Sequence, residues 1–312
     1  MKINREKLKN VIHEVFREHL NECESLITER WSYSDDMDNA IDHVYDIVTS
    51  CIRTGNIKLN KIDYGVGLYS GSSKISLFGI DDITLNFYLY ECPDDEVCRY
   101  IISNAFSEND YDEDKKVLSI TVFTVLGSLI EEVSNKNVSH ELEHILQISK
   151  GHSGNTKYDS LMNSAYRAAS EIIYSKGNNN NDFDVIVAWL IYYSNPHEQD
   201  SFMNEYYQDL RSMRQLIQNK NSETHRRYYD YYKKCDIVKK YQSNQDFLNI
   251  LQKYRIYGYT LRNFNIMIDK GIKRFAKKMK NVEKHFTTVV KNANESHYRL
   301  APVTNGSLRR IF

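Results

Sequence analysis

The chain has 312 residues, enough for one large domain or two smaller ones with an ample hydrophobic core. Its 41 basic and 42 acidic residues nearly cancel, and its five scattered cysteines form no C-x-x-C pair, which excludes a disulfide framework and a zinc ribbon. No apolar run is long enough for a signal peptide or a membrane span, so we expect a cytoplasmic protein, with association with a virus particle as the alternative.

Two helices and a small sheet are predicted for the first 132 residues. Apolar residues recur at helical spacing over 4–30 and again from about Met37 to Arg53. From Ile57 to Glu132, β-branched and aromatic runs alternate with Gly, Ser and Asp turns, which indicates a sheet. Strands are expected at Tyr64–Tyr69, Ile75–Phe78, Ile83–Tyr90 and Val117–Leu126, with Thr84–Tyr90 alternating like a half-buried strand.

The remainder of the chain is predicted to be mainly helical. Ser134–Asn137 offers N-cap residues for a helix from about Val138 to Gly151. Further helices are expected over Tyr158–Tyr174, Phe183–Tyr193, from Pro196 towards Ile217, and over 224–240 and 245–291, with a polar loop at Asn178–Asn181 and an irregular tail at 292–312. The predicted fold is therefore α+β. Its expected segments are a helical 1–55, a sheet with its following helix at 56–155, a helical 156–260, and a basic helix with its tail at 261–312.

The segment His140-Glu141-Leu142-Glu143-His144 matches the zinc-hydrolase pattern H-E-x-x-H. Residues i and i+4 share one face of a helix, so His140 and His144 can present two imidazoles to one ion. Glu141 can then reach the open position of the metal, where a general base must meet a water molecule. The pattern predicts one catalytic Zn²⁺.

A catalytic zinc site usually needs a third protein ligand. The longer pattern H-E-x-x-H-x-x-G-x-x-H is excluded, because Gln147 replaces its glycine and Lys150 its last histidine. Glu198 is the preferred third ligand because Pro196 starts a rigid helix beneath it, although a first-turn Glu is also favoured by the helix dipole alone. The alternatives are Glu171, His197, Asp200 and His152. Asp200 is also a candidate to orient a ligating imidazole.

The sheet followed by the motif helix resembles the zincin metallopeptidases over about residues 60–215, and a Glu from a later helix is similar to the gluzincin branch. The resemblance implies a protein or peptide substrate, with zinc bound by His140 and His144 and a water activated by Glu141. It also implies an oxyanion donor, for which Tyr166 and Tyr174 are candidates. Val117–Leu126 is either the strand that aligns an extended peptide or a plain core strand. Glu143 stands where those families usually have an uncharged residue.

Charge is distributed unevenly along the chain. Residues 81–115 hold eleven acidic residues and two basic ones, whereas residues 261–312 hold twelve basic residues and three acidic ones. The basic segment is either a packed helix with a solvated Lys face or a surface that binds nucleic acid or an acidic partner. The alternative to a peptidase is therefore a catalytically inactive, zincin-like structural or assembly protein, such as a component of a virus particle. The oligomeric state is not predicted.

Overall fold

A computed structural model describes residues 33–63, 65–104, 110–125, 128–129, 131–151, 157–176, 182–213, 222–240, 244–253 and 261–295. These residues divide into two compact units. The sheet unit consists of the described residues of 33–151, 197–233 and 273–295. The helical unit consists of those of 157–196, 234–253 and 261–272. The predicted four-segment division of the sequence stays a prediction.

The sheet unit contains one mixed sheet. Its strands are β1 (Ile57–Asp63), β2 (Val66–Leu77), β3 (Ile80–Cys92), β4 (Asp110–Asp112), β5 (Val117–Val125) and β6 (Ser128–Leu129). Five of them lie in the order β1-β2-β3-β5-β4, and β6 pairs with the end of β5. Only the β3–β5 pairing is parallel among these strands. The predicted mixed sheet before the motif helix is confirmed.

A two-residue turn sets the register of the central hairpin. Leu77 pairs with Ile80, and between them Phe78 and Gly79 have φ values of 52° and 79°. Two positive φ values define a type I′ turn, whose twist matches that of the flanking strands. The sequence prediction that a strand ends at Phe78 was therefore wrong by one residue. The turn needs two residues, so Phe78 occupies its first position beside Gly79 and the strand ends at Leu77.

The core of the sheet unit lies on one face of the sheet. Alternate residues of β3, from Ile83 to Leu89, are buried there, which confirms the predicted half-buried strand. Two helices cover this face, α1 (Asp35–Arg53) and the motif helix, and a short helix, α2 (Asp95–Asn104), packs at Cys92 and Phe123. Burying each large apolar side chain fully in this core stabilises the folded state by about 1.5–3 kcal/mol relative to leaving it exposed.

Strand β5 lies inside the sheet. It pairs with β3 on one side and with β4 and β6 on the other, and most of its residues are buried. Of the two interpretations left open by the sequence, the structure supports a core strand. The edge of the sheet on this side is β4, which lies against the motif helix.

The motif helix is α3 (Glu131–Ser149), and it is followed by α4 (Lys157–Lys176), α5 (Phe183–Ser194), α6 (Pro196–Met213), α7 (Glu223–Lys240), α8 (Asn244–Lys253) and α9 (Leu261–Glu295). The predicted start of α3 near Val138 was wrong, because the helix begins at Glu131 and contains the supposed cap at Ser134–Asn137. Within the predicted helix over 245–291 the structure describes α8 and α9, and the residues between them, 254–260, lie outside its described part.

Two expectations fall outside the described residues: the helix over 4–30 and the loop at Asn178–Asn181. The predicted irregular tail at 292–312 was wrong in its first four residues, because α9 continues to Glu295, and the rest of that tail also lies outside the described residues. Among the helices that the structure describes, none combines the length and the apolarity that crossing a bilayer requires.

Candidate metal centre

Helix α3 presents both histidines of the motif on the side that faces α6. Its core side is anchored by Val138, Leu142 and Ile145, which are buried against the sheet. These residues lie four and three positions apart, so they form one face of the helix. His140 and His144 therefore lie on the neighbouring face, where α6 packs within the sheet unit.

Helix α6 brings Glu198 to the two imidazoles. The Glu198 carboxylate lies 3.5 Å from His140 Nε2 through one oxygen and 3.5 Å from His144 Nε2 through the other. All three candidate ligand atoms lie within 4.8 Å of one another, and Glu198 is only 2% exposed. The prediction that these three side chains come together is confirmed.

The spacing of these atoms fits a zinc ion. Zinc bonds of about 2.0–2.1 Å at the tetrahedral angle separate neighbouring donor atoms by about 3.3 Å. The two histidine-to-carboxylate distances of 3.5 Å, each to a different oxygen of Glu198, are close to that value, and the three ligand atoms as a set lie within 4.8 Å of one another. Two imidazole nitrogens and one carboxylate are also a donor set found in catalytic zinc sites, which leave a further position open.

His140 is oriented by a carboxylate that the sequence analysis missed. Its Nδ1 lies 2.6 Å from Glu205, which in turn accepts a hydrogen bond of 2.6 Å from Arg227 on α7. An acceptor on Nδ1 fixes the proton there and leaves Nε2 for a metal. Glu205 follows Glu198 by seven residues, two helical turns on the same face, which is the one signal the sequence offered for it.

The electrostatics around His140 favour a cation. Burial alone would lower the pKa of His140, but the hydrogen bonds to Glu198 and Glu205 raise that pKa well above its ordinary value. In Glu205, burial is outweighed by Arg227 and His140, so the pKa of its carboxyl is lowered. The carboxylates of Glu198 and Glu205 thus stabilise a positive charge at the His140 imidazole. Either a proton or a metal ion on Nε2 can provide that charge.

His144 is held from its own helix. Its Nδ1 lies 3.4 Å from Gln147 Oε1, and the Gln147 amide donates to Glu143 at 3.3 Å and to the His197 carbonyl at 3.2 Å. Burial lowers the pKa of His144, and Glu198 only partly offsets this. A neutral imidazole is the form that binds a metal.

Glu143 is explained by this arrangement. Asn204 on α6 donates to its carboxylate at 2.6 Å, and Gln147 donates to it from one turn further along α3. Burial, followed by repulsion from Asp200, raises the pKa of Glu143 to about 7. The charged residue that departs from the family pattern thus helps to position Gln147, and through it His144.

Glu141 is placed as a candidate base. It is 8% exposed, and burial raises its pKa to about 8, with His140 acting in the opposite direction and Glu198 and Asp110 in the same one. A base works best when its pKa is near the working pH. The edge strand β4 packs against α3, and the Asp110 carboxylate on β4 and that of Glu198 repel each other, so this strand borders the centre.

A hydroxyl also points at the centre. Ser201 is fully buried one turn after Glu198, and its Oγ lies 3.5 Å from His144 Nε2 and donates to the His197 carbonyl at 3.3 Å.

The other candidate ligands have different surroundings. Asp200 was also a candidate to orient a ligating imidazole, but it forms an ion pair of 2.5 Å with Lys278. The carboxylate that contacts Nδ1 of His140 is that of Glu205. His197 contributes its carbonyl to Gln147, Glu171 is an exposed residue of α4 outside the three-residue cluster, and His152 lies outside the described residues.

The two oxyanion candidates both belong to the helical unit. Tyr174 is 90% exposed, and Tyr166 stacks on Tyr192 with ring centroids 5.5 Å apart. Their role as oxyanion donors stays a prediction.

Comparison with protein families, with curated proteins and with solved structures finds no match to this chain. The interpretation of the centre therefore depends on its own geometry and chemistry.

Proposed function

We propose that the chain is a zinc-dependent metallopeptidase of the zincin type, with His140, His144 and Glu198 as metal ligands and Glu141 as general base. The observation that carries this proposal is the cluster of two imidazole nitrogens and a carboxylate, whose atoms lie within 4.8 Å of one another. The buried Glu141 follows His140 in the chain. The mixed sheet before α3 and the ligand from a later helix support the gluzincin-like subclass.

The residues divide the work of peptide hydrolysis. His140, His144 and Glu198 would hold a zinc ion, which would supply Lewis acidity towards the scissile carbonyl and a water. Glu141 takes the proton that the attacking water loses and delivers it to the leaving amine. Glu205 and Gln147 keep the two imidazoles in their ligating orientation, so little reorganisation is needed during turnover.

Strand β4 is the proposed place for the substrate backbone. It is the last strand of the described sheet on this side, it packs against α3, and its Asp110 carboxylate repels those of Glu141 and Glu198. An extended peptide can add to such an edge through main-chain hydrogen bonds. This would bring its carbonyl groups past the metal centre.

The test combines zinc content with hydrolysis of an unfolded protein substrate. The parent should hold about one zinc per chain, because three ligands of one site are present, and it should cleave the substrate. Glu141→Gln should keep the zinc and lose at least about 100-fold in turnover, since only the base is removed. Glu96→Gln, an exposed substitution on α2, is the matched control and should behave like the parent.

The outcomes separate the two candidate functions. A parent that binds zinc and cleaves nothing would favour the inactive assembly protein, and a folded parent without zinc would contradict both the metal centre and the enzyme. Equal turnover in Glu141→Gln and the parent would show that Glu141 is not the base.

A further inference from the structure

A row of four lysines lies along the exposed side of α9. Lys273, Lys277, Lys280 and Lys284 are all exposed. Their spacing of four, three and four residues places them on one narrow face of the helix. They span eleven residues, or about 16 Å at the rise of an α-helix. We name these four residues the basic ridge.

The basic ridge has a fixed position in the sheet unit. The opposite face of α9 is buried through Phe275, Met279, Val282 and Phe286. The Phe275 ring packs 6.1 Å from the ring of Phe202 on α6, between centroids. The four ammonium groups therefore project from a helix that is fixed by its packing.

No acidic group among the described residues neutralises the basic ridge. The structure shows no ion pair for any of the four lysines within the described ranges. Glu283, the one acidic residue between Lys270 and Lys284, accepts a hydrogen bond of 3.0 Å from Tyr206 on the packed side. Solvated helix faces commonly carry both signs of charge, so a row of one sign is a strongly charged patch.

The chemistry of the basic ridge selects among partners. The residues that flank these four lysines, Ala276, Asn281, Thr287 and Thr288, include no large apolar or aromatic side chain. Of the described residues, the nearest exposed apolar one on this helix face is Ile266, seven residues before Lys273, and a single such residue does not form an apolar face. Protein interfaces depend on such anchors and are depleted in Lys, and helices that lie in a membrane surface need an apolar face. Binding of single-stranded nucleic acid uses aromatic stacking. The phosphate backbone of a duplex requires cations alone.

We propose that the basic ridge binds the phosphate backbone of double-stranded nucleic acid without regard to sequence. A duplex carries one phosphate charge per about 1.7 Å of its axis, so a ridge of about 16 Å lies within reach of several phosphates. This binding does not depend on the metal centre.

The test measures the binding of the full chain to a fluorescein-labelled DNA duplex of mixed sequence over about 50–200 mM salt. The parent should bind with a non-specific dissociation constant of about 10⁻⁴–10⁻⁶ M near physiological salt. The ridge variant combines Lys273→Gln, Lys277→Gln, Lys280→Gln and Lys284→Gln. It should reduce the magnitude of the negative slope of log K against log salt by about 3–4, since each of the four lost phosphate contacts contributes about 0.9.

A second fourfold variant controls for net charge. It combines Lys58→Gln, Lys150→Gln, Lys233→Gln and Lys240→Gln, which are exposed residues outside α9, and should keep the slope of the parent. Equal thermal unfolding of both variants, followed by circular dichroism, excludes misfolding as the cause of a loss. The proposal is overturned if the parent does not bind the duplex, if the ridge variant binds like the parent, or if the control loses as much. Binding to phosphatidylserine vesicles in place of the duplex would also overturn it.

Discussion

The two imidazoles of the centre are held by different kinds of partner. His140 depends on a charged chain that crosses from α3 to α6 and then to α7, through Glu205 and Arg227. His144 depends on the neutral amide of Gln147, three residues away on its own helix. The orientation of His140 is therefore sensitive to substitutions on distant segments, whereas that of His144 is set mainly within α3.

Replacing Glu205 should weaken metal binding without removing a ligand. In Glu205→Gln, the charged acceptor on His140 Nδ1 is lost, and zinc affinity should fall about 10–100-fold. Glu223→Gln is the matched control, because Glu223 accepts a 2.8 Å hydrogen bond from the same Arg227 but is half exposed. Competition with a fluorescent chelator measures both affinities. A zinc affinity of Glu205→Gln within about twofold of the control would contradict a positioning role for Glu205.

The ligands were predictable to different extents. The spacing of His140 and His144 is a local property of one helix. Pro196 likewise predicted the start of the helix whose first turn contains Glu198. Glu205 and Arg227 meet only because α7 folds against α6, and no local pattern encodes that approach. The favourable role of Glu143 was hidden for the same reason, since its partner Asn204 is 61 residues away.

At the scale of elements, α3 and α6 meet through a line of polar contacts. In order along α3, Lys136 forms an ion pair of 2.9 Å with Asp209, and next His140 contacts Glu205 at 2.6 Å. Then come the contacts of Glu143 with Asn204, of His144 with Glu198, and of Gln147 with the His197 carbonyl. Residue numbers rise on α3 while they fall on α6, so the helices run antiparallel. A buried polar interface is costly unless its groups are paired, and its departure from apolar packing is typical of functional sites.

This interface also explains the error at the start of α3. Ser134–Asn137 contains residues that favour a helix cap, and the prediction placed the start there. In the structure the Lys136 side chain reaches Asp209 on α6, and the Ser139 hydroxyl donates to the Lys136 carbonyl at 2.9 Å inside the helix. A tertiary contact thus outweighs the local preference for a cap, which is weak by comparison.

A partly buried ion pair joins helix α9 to α6, and a double-mutant cycle should measure its contribution to stability. Lys278 lies 2.5 Å from Asp200, and burial outweighs this carboxylate and lowers the pKa of Lys278. Lys278→Met should destabilise the fold by about 1–3 kcal/mol, because Asp200 loses its partner. Adding Asp200→Asn should recover much of that loss. Urea denaturation of the parent, both single variants and the double variant measures the coupling. Additive effects within about 0.3 kcal/mol would contradict a coupled pair.

At the scale of the whole molecule, composition concealed how charge and fold are distributed. The formal net charge of −1 does not reveal that the described residues of the acidic 81–115 segment and the basic ridge both belong to the sheet unit. The residue periodicities of the sequence predicted the α+β fold class correctly, since the strand and helix periodicities are local properties of the chain. That unit also includes the described residues of 197–233, which are separated along the chain from those of 33–151, and such discontinuous packing has no signature in local composition.

The central claim is that Glu198 completes a zinc site with His140 and His144. Zinc content after equilibrium dialysis tests it most directly, in the parent and in Glu198→Ala, Glu171→Ala and Asp200→Ala. Because Glu198 alone of these carboxylates lies 3.5 Å from both imidazoles, we expect Glu198→Ala to lose most of its zinc while the other two variants keep about one zinc per chain. Full zinc content in Glu198→Ala, or its loss in Glu171→Ala, would contradict this account.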